Sequence, residues 1–505
     1  MYIMLFVKAS MCIVLAAAAL WGCAAGAPYT PPAVSVPATF GQPAGSARAV
    51  DESDWWTCFD DPVLTSLVAR ALSSNLDALQ AATRVREARA QERIVRGSQG
   101  PQLDSSASAS EARLSKNALP SSLAGLFSGG SGGSNGGSGG GIGLPGTSFR
   151  TYQAGFDASW ELDLFGGDAH AAEAARSRTD GALWSRRDAD VVLAAEVART
   201  YQQLRALQRR QALADAALAT QRELLAFAQV RARNGLVTDA ELLRQQRALD
   251  QSLAQRDELA AQCDTGLHAL ALLLGLAPMA LAGELAVPAA AAPALPQVPA
   301  GLPSELLQRR PDIRVAERAV AAASADVGVA TADLYPKISL TGALQLASRS
   351  LSTLVDADSL QGNASARVAF PLLGRDRLHA TVDLRQARAD EARLAYRRTV
   401  LAALRDVEDA LTRLASSRRR LDEFQRVAQA ALEESDIAAV QYRHGLASAT
   451  DMLAARQALQ AAEDGELQAQ AAAAQDVVAL YKALGGGWDE RRDRIEGEGT
   501  RGQAN

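Results

Sequence analysis

Apolar side chains recur every seventh residue through a stretch that holds no proline from Thr147 to Ala277. Val197, Leu204, Leu218 and Leu225 occupy the repeating position. Gln211 interrupts it, and Tyr201 and Leu207 fill neighbouring places on the same stripe. A period of seven marks helices packed side by side as in coiled coils. The absence of proline lets them run unbroken, because an interior proline removes a backbone hydrogen bond and clashes with the preceding turn. The pattern predicts one helix from Gly166 to a turn at Asn234-Gly235 and a second from there to Leu274. The first would extend roughly 100 Å at 1.5 Å per residue.

The same design returns between Gly374 and Gly485. Val400, Val407, Leu414 and Leu421 are spaced by sevens, with Leu404 and Leu411 beside them. The turn recurs at His444-Gly445, and no proline follows Pro371. Two hairpins at one fixed offset predict an internal repeat.

Ahead of each hairpin the period changes. A helix is expected from Pro62 to Arg96, with proline in its first turn, and Gly100-Pro101 ends it. Gln102 to Leu114 and Arg150 to Leu164 alternate as strands do, the second through Tyr152, Ala154, Phe156, Ala158 and Trp160. In the second half Lys337 to Ala347 and Gln361 to Phe370 are the matching pair. Asp77 aligns with Asp312 and Pro101 with Pro336 at one shared offset, which exceeds that of the hairpins by about 25 residues. The glycine- and serine-rich run Ser115 to Ser148 accounts for the difference and is expected to be a flexible loop. The expected organisation is a signal peptide over 1–22, a tether over 23–61, and a first repeat over 62–276. A linker over 277–302, a second repeat over 303–485 and a flexible tail over 486–505 complete it. Four strands cannot close a barrel, and an open sheet in lipid leaves its edge groups without partners. Three chains would supply twelve strands, an even number within the bacterial range, which points to a trimer sharing one barrel.

Composition supports long helices: the chain is rich in alanine, leucine, arginine, glutamine and glutamate, and aromatics make up 5%. A formal net charge of −5 offers no basic surface for nucleic acid. At the N-terminus Lys8 precedes an apolar run from Met11 to Leu20, a targeting segment that stands outside the fold. Leu20-Trp21-Gly22-Cys23 resembles a bacterial lipobox, although Trp21 is unusual in one, and Ala24 after the cysteine suits outer-membrane sorting. The alternative is an ordinary signal peptide. Cys58 and Cys263 are too few and too far apart for a disulfide framework or a metal site. His170, His268, His379 and His444 are scattered, and no phosphate-binding loop, zinc motif or nucleophile elbow is present. The chain therefore reads as no enzyme, with no cofactor and no metal.

Leu-Gln-Arg-Arg-Pro-Asp-Ile-Arg at 307–314, Tyr-Pro-Lys-Ile-Ser-Leu at 335–340, and Glu161 through Gly166 carry a family resemblance. Tyr442-Arg443-His444-Gly445 adds to it. The chain resembles the TolC-like outer-membrane factors of tripartite efflux systems, especially the lipoprotein branch serving resistance-nodulation-division pumps. The resemblance covers Trp55 to Trp488. It implies a mainly α protein with a membrane β-barrel. As a homotrimer it would form a 12-stranded outer-membrane barrel on a 12-helix periplasmic barrel. It also implies lipid anchoring at Cys23 and two partners, a periplasmic adaptor and an inner-membrane pump. Such a duct passively carries drugs and toxic small molecules outward. Other readings are a duct for one-step protein secretion, which the lipobox and Leu302 to Leu340 disfavour, and a poreless periplasmic scaffold, which would need no strands.

In the resembled family, acids six residues past the turn glycines line the closed periplasmic mouth. Here they are Glu241 and Asp451, with Arg231, Arg233, Tyr442 and Arg443 as partners. Thr238-x-x-Glu241 and Ser448-x-x-Asp451 also fit helix capping boxes.

Cys23 is expected to be the acylated first residue of the mature chain. Intact-mass analysis should show added acyl mass, and Cys23→Ser should abolish it. A mature protein without that mass would refute the lipobox.

Overall fold

The computed structural model describes residues 29–41, 52–113, 148–286, 295–296, 298 and 303–488. Cys23, the glycine- and serine-rich run over 114–147 and the tail from 489 lie outside these residues. The described chain is α1 (Pro62–Ser74), α2 (Leu76–Gly97), β1 (Gln102–Arg113) and β2 (Ser148–Leu162), then the first hairpin, α3 (Gly167–Arg233) and α4 (Asp239–Leu273). One helical turn, Leu306–Arg309, leads into α5 (Pro311–Ala332). Then come β3 (Lys337–Ser348), β4 (Leu360–Ala369) and the second hairpin, α6 (Arg375–Arg443) and α7 (Ala449–Leu484). The two longest helices have 67 and 69 residues. The chain divides into two compact units.

The first unit holds residues 90–176 and 322–389. Its centre is a four-stranded antiparallel sheet in the order β1-β2-β3-β4. Successive side chains alternate between faces. Phe156 lies opposite Ser105 on one side and Leu344 on the other, and Trp160 lies opposite Leu340. These residues share one face with Leu103, Leu360 and Val368, and the large apolar ones are exposed. Asp104, Asp157, Gln345 and Asn363 belong to the opposite face. The sheet thus turns large apolar side chains to its surroundings on one side and polar ones on the other, the pattern of a lipid-facing strand set. Gly155 makes the β2–β3 approach possible: a Cβ there would stand 2.4 Å from that of Gln345. Beyond β2, Phe165 stacks on Tyr335 at 4.8 Å.

The second unit comprises residues 30–89, 177–321 and 390–505. The seven-residue stripes form its core: Val197, Tyr201, Leu204, Leu207, Leu218 and Leu225 are buried, as are Val400, Val407, Leu411, Leu414 and Leu421. Tyr201 donates to Asp61 at 2.7 Å and receives the Arg205 Nε proton at 3.1 Å. Burial, then the bond to Asp61, pushes the Tyr201 phenol up to about 12. The other Asp61 oxygen accepts from the backbone of Val63 and Leu64, which caps α1.

Four expectations change. The helix expected over 62–96 is two helices. Asn75 breaks it, because its side chain accepts from the backbone of Asp77 and Ala78 and donates to the Leu273 carbonyl at 2.9 Å. The expected tether reaches too far, since Glu52–Phe59 is helical and Trp55, Trp56 and Phe59 are fully buried. Trp55 stacks on Tyr481 at 5.0 Å. The linker begins later than 277, because Leu281 and Leu285 are buried. The tail begins later than 486: Trp488 packs edge-on against Trp184, with Arg187 over both rings. No helix among the described residues is long and apolar enough to cross a membrane.

Asn75→Ala removes a cap and leaves the Leu273 carbonyl without its donor. The expected cost is about 1–3 kcal/mol. It should appear as a lower melting temperature by circular dichroism, with spectra unchanged at 25 °C.

Candidate functional site

Both hairpin turns are built alike. α3 ends with Gly235 at φ +70° and α6 with Gly445 at φ +73°, a left-handed position that glycine takes without strain. Gly235 N–H donates to Ala232 and Leu236 N–H to Arg231; Gly445 N–H donates to Tyr442 and Leu446 N–H to Gln441. This pair of bonds closes a helix end and reverses the chain in few residues. Leu236 and Leu446 then stand exposed at the tips.

The next helices start differently. Ser448 and Asp451 form the complete reciprocal box: Asp451 N–H donates to Ser448 Oγ at 3.2 Å, and Ser448 N–H to Asp451 Oδ2 at 3.0 Å. The Ser448 hydroxyl also donates to Asp451 at 2.7 Å. These bonds hold the Asp451 carboxyl below the usual carboxylate range, the hydroxyl having the largest effect. In the first hairpin only half the expected box exists. Glu241 N–H reaches Thr238 Oγ1 at 3.4 Å, but the Glu241 carboxylate turns along its own helix to Arg244 at 2.8 Å and Gln245 at 3.0 Å. Two donors one turn on outcompete the cap, since residues three and four apart are helix neighbours.

Arg231 and Arg233 close α3, and Arg443 closes α6. Among the described residues, Glu241 and Asp451 bond on their own helices and not to Arg231, Arg233, Tyr442 or Arg443. The Arg231 guanidinium lies 6.0 Å over Phe227.

The structure adds a polar seam between α3 and α7. Arg210 pairs with Asp464 at 2.6 Å, Gln460 donates to Thr220 at 3.1 Å, and Gln457 donates to buried Gln221 at 2.5 Å. Gln221 also donates to Gln245, the residue that holds Glu241. A chain of side-chain amides therefore joins Glu241 to α7. Its sequence signal is a scatter of glutamines, at 221, 245, 457 and 460, which suit either face of a helix. Among the described residues, no three His, Cys, Asp or Glu side chains cluster so as to hold a metal ion.

Comparison with known proteins places this architecture. A family model described as outer membrane efflux protein matches residues 67–276 and 302–486. The chain belongs to that family. It is 32% identical to the pyoverdine export outer membrane protein OpmQ of Pseudomonas aeruginosa, over 90% of this chain and 91% of the relative. It is 30% identical to the cation efflux system protein CusC of Escherichia coli, over 94% and 98%. Among solved structures it superposes on the outer-membrane channel OprN with a TM-score of 0.79 at 31% identity, covering 92% and 99%. The outer-membrane channel MtrE of Neisseria gonorrhoeae gives 0.76 at 27%, covering 92% and 98%. These neighbours are channel proteins, and this outer-membrane efflux protein shares their fold: helical, with an outer-membrane sheet. It is an outer-membrane channel of an efflux system.

The Asp451 bonds stabilise above the unfolded carboxyl pKa of about 3.9 and are lost as pH falls through the lowered folded value. At neutral pH they are fully present. Ser448→Ala should therefore speed amide exchange across 448–453 at pH 7, by about five-fold for a cap of roughly 1 kcal/mol. Hydrogen-exchange mass spectrometry reads this directly.

Proposed function

We propose that three copies of this chain form the outer-membrane duct of a tripartite system, passively conducting small molecules handed on by a periplasmic adaptor and a resistance-nodulation-division pump. One observation carries the reading. The family match spans both halves of the chain, and its sheet turns its large apolar side chains to one face with both edge strands unpaired. Each chain then gives four strands to a twelve-stranded barrel and two long hairpins to a twelve-helix periplasmic barrel. The two halves are a tandem repeat over 62–276 and 303–485. Equal lengths support this: α2 and α5 have 22 residues each, and β1 and β3 have 12 each. A lipid on Cys23 adds a second hold on the membrane.

Export of pyoverdine and efflux of cations are named for relatives. For this chain the cargo class is small molecules, because a duct need not recognise what passes. The energy is supplied by the pump.

Glu241 and Asp451 are the acids of the periplasmic gate, with Arg231, Arg233, Tyr442 and Arg443 available to a neighbouring copy because none is engaged by either acid within its own chain. The amide chain through Gln245 and Gln221 supports a gate at Glu241 that is coupled to α7.

Reconstitution in a planar bilayer tests both claims. Wild-type protein should give a channel of small conductance, and Glu241→Ala with Asp451→Ala should raise it while the trimer stays intact. No channel under any condition would sink the duct. Unchanged conductance with only a lower melting temperature would reduce both acids to helix caps.

A further inference from the structure

Each hairpin ends against the first turn of a helix from its own half, and the two halves fasten that joint with different chemistry. α2 maps onto α5 with a shift of 235 positions, and Gly275 onto Gly485 with a shift of 210. Asn75 therefore corresponds to Arg310, and Leu273 to Ala483. Both joints are tight. A Cβ on Gly275 would stand 2.8 Å from the Ser74 carbonyl oxygen, and one on Gly485 3.0 Å from the Arg310 Cα. In the first joint the Asn75 amide donates to the Leu273 carbonyl at 2.9 Å, and its oxygen caps α2. In the second, the Arg310 guanidinium donates to the Ala483 carbonyl at 2.9 Å, and Asp312 accepts from the backbone of Ile313 at 2.9 Å. Asp312 also takes the guanidinium in a fork, at 3.0 and 2.7 Å. An ion pair thus does in one joint what a neutral amide does in the other.

The charged joint carries one acid too many. Arg310 and Asp312 line a cavity of about 600 Å³ together with Asp188 of α3 and Lys482 of α7. From α6 it receives Arg405, Asp406, Asp409 and Arg413. The α6 charges are matched: Asp406 pairs with Arg405 at 2.7 Å and more loosely with Arg310 at 3.6 Å, and Asp409 pairs with Arg413 at 3.8 Å. Asp188 is half-buried, and among the described residues it makes no hydrogen bond and no ion pair. All three nitrogens of Arg310 are already engaged, by Asp312 and by the Ala483 carbonyl. Lys482 is exposed. Burial, and next the charge of Asp312, hold the Asp188 carboxyl above the usual carboxylate range; Arg310 and Lys482 oppose this without cancelling it.

We propose that Asp188 makes the joint between α7 and the first turn of α5 respond to protons. Neutral Asp188 leaves Arg310 to Asp312 and to the Ala483 carbonyl. Ionised Asp188 is a third carboxylate competing, after Asp312 and Asp406, for one guanidinium, and it loosens the end of α7. The first joint, fastened by the Asn75 amide, has no such dependence. Acid therefore firms the second hairpin at its base and leaves the first unchanged. A carboxyl raised in the folded state adds stability that is complete below its unfolded value of about 3.9 and is lost as pH rises through the folded one. At neutral pH the ionised group is a cost, and an amide of the same shape removes it.

Asp188→Asn in the full-length protein isolates the effect. It should raise the melting temperature at pH 7, and the difference from wild type should close as pH falls to about 4. Hydrogen-exchange mass spectrometry locates it. At pH 7 the variant should exchange more slowly across 306–314 and 480–486, by up to about tenfold for each pKa unit by which the carboxyl is raised. Exchange across 74–80 and 270–276, at the first joint, should not change. Wild type alone gives a second readout that needs no variant. After correction for intrinsic rates, its protection across 480–486 should increase between pH 7 and about pH 5, and that across 270–276 should not. A lower melting temperature for Asp188→Asn at pH 7, or its failure to fold, would mean that the ionised carboxylate has a partner, Lys482 or a neighbouring copy, and would overturn the proposal. A difference that stays constant with pH, or slower exchange that spares both segments of the second joint, would overturn it equally.

Discussion

A backbone amide in hydrocarbon has nothing to bond to except another backbone, and this chain exposes two strand edges that it cannot satisfy alone. That constraint organises the rest. The sheet carries no core of its own: its large side chains, Phe156, Trp160 and Leu344, point away from the chain. Stability for such strands comes from closure and from lipid rather than from internal burial. The helical unit is the reverse case. Its stripes bury Val197, Leu204, Val407 and Leu414 away from water, and the hydrophobic effect favours that burial.

The helical contacts are not uniformly apolar. Between α3 and α7 the stripe gives way to Arg210–Asp464, Thr220–Gln460 and Gln221–Gln457. Polar pairs at core positions add less stability than leucines would, and they fix which residues face each other. A long helix pair made only of leucine could slide by a turn and lose little. A glutamine chain that reaches Glu241 makes the register of α3 against α7 and the state of the first turn parts of one network.

Much of this was legible in the sequence, for a definite reason. Long helices and alternating strands declare themselves through period, and the glycines at 166, 235, 275, 374, 445 and 485 all sit at positive φ, where chain direction changes. The illegible parts are those fixed by distant partners. Ser73-Ser74-Asn75 holds cap residues inside an otherwise helical pattern, and what the pattern cannot show is that the Asn75 side chain is also held by the Leu273 carbonyl, far along the chain. Trp55 and Trp56 follow a proline-rich run and read as tether, but Tyr481 gives one of them a stacking surface. At the turns, Thr238-x-x-Glu241 and Ser448-x-x-Asp451 look equivalent, and only the competition from Arg244 and Gln245 separates them.

The burial of Trp55, Trp56 and Phe59 has a consequence for how the protein comes into being. The thiol of Cys58, in the same segment, accepts from Tyr481 across 423 positions of chain. Closing a loop of that length costs about 5 kcal/mol of chain entropy before any contact is made. The most aromatic part of the N-terminus thus has no seat until α7, the last helix of the described chain, has been delivered. Until then three large apolar rings face water, in a chain whose strands also wait for lipid. Long-range closure of this kind is slow and leaves sticky surface exposed meanwhile. The protein's passage to the outer membrane is therefore a problem of keeping those rings covered by something other than the fold itself.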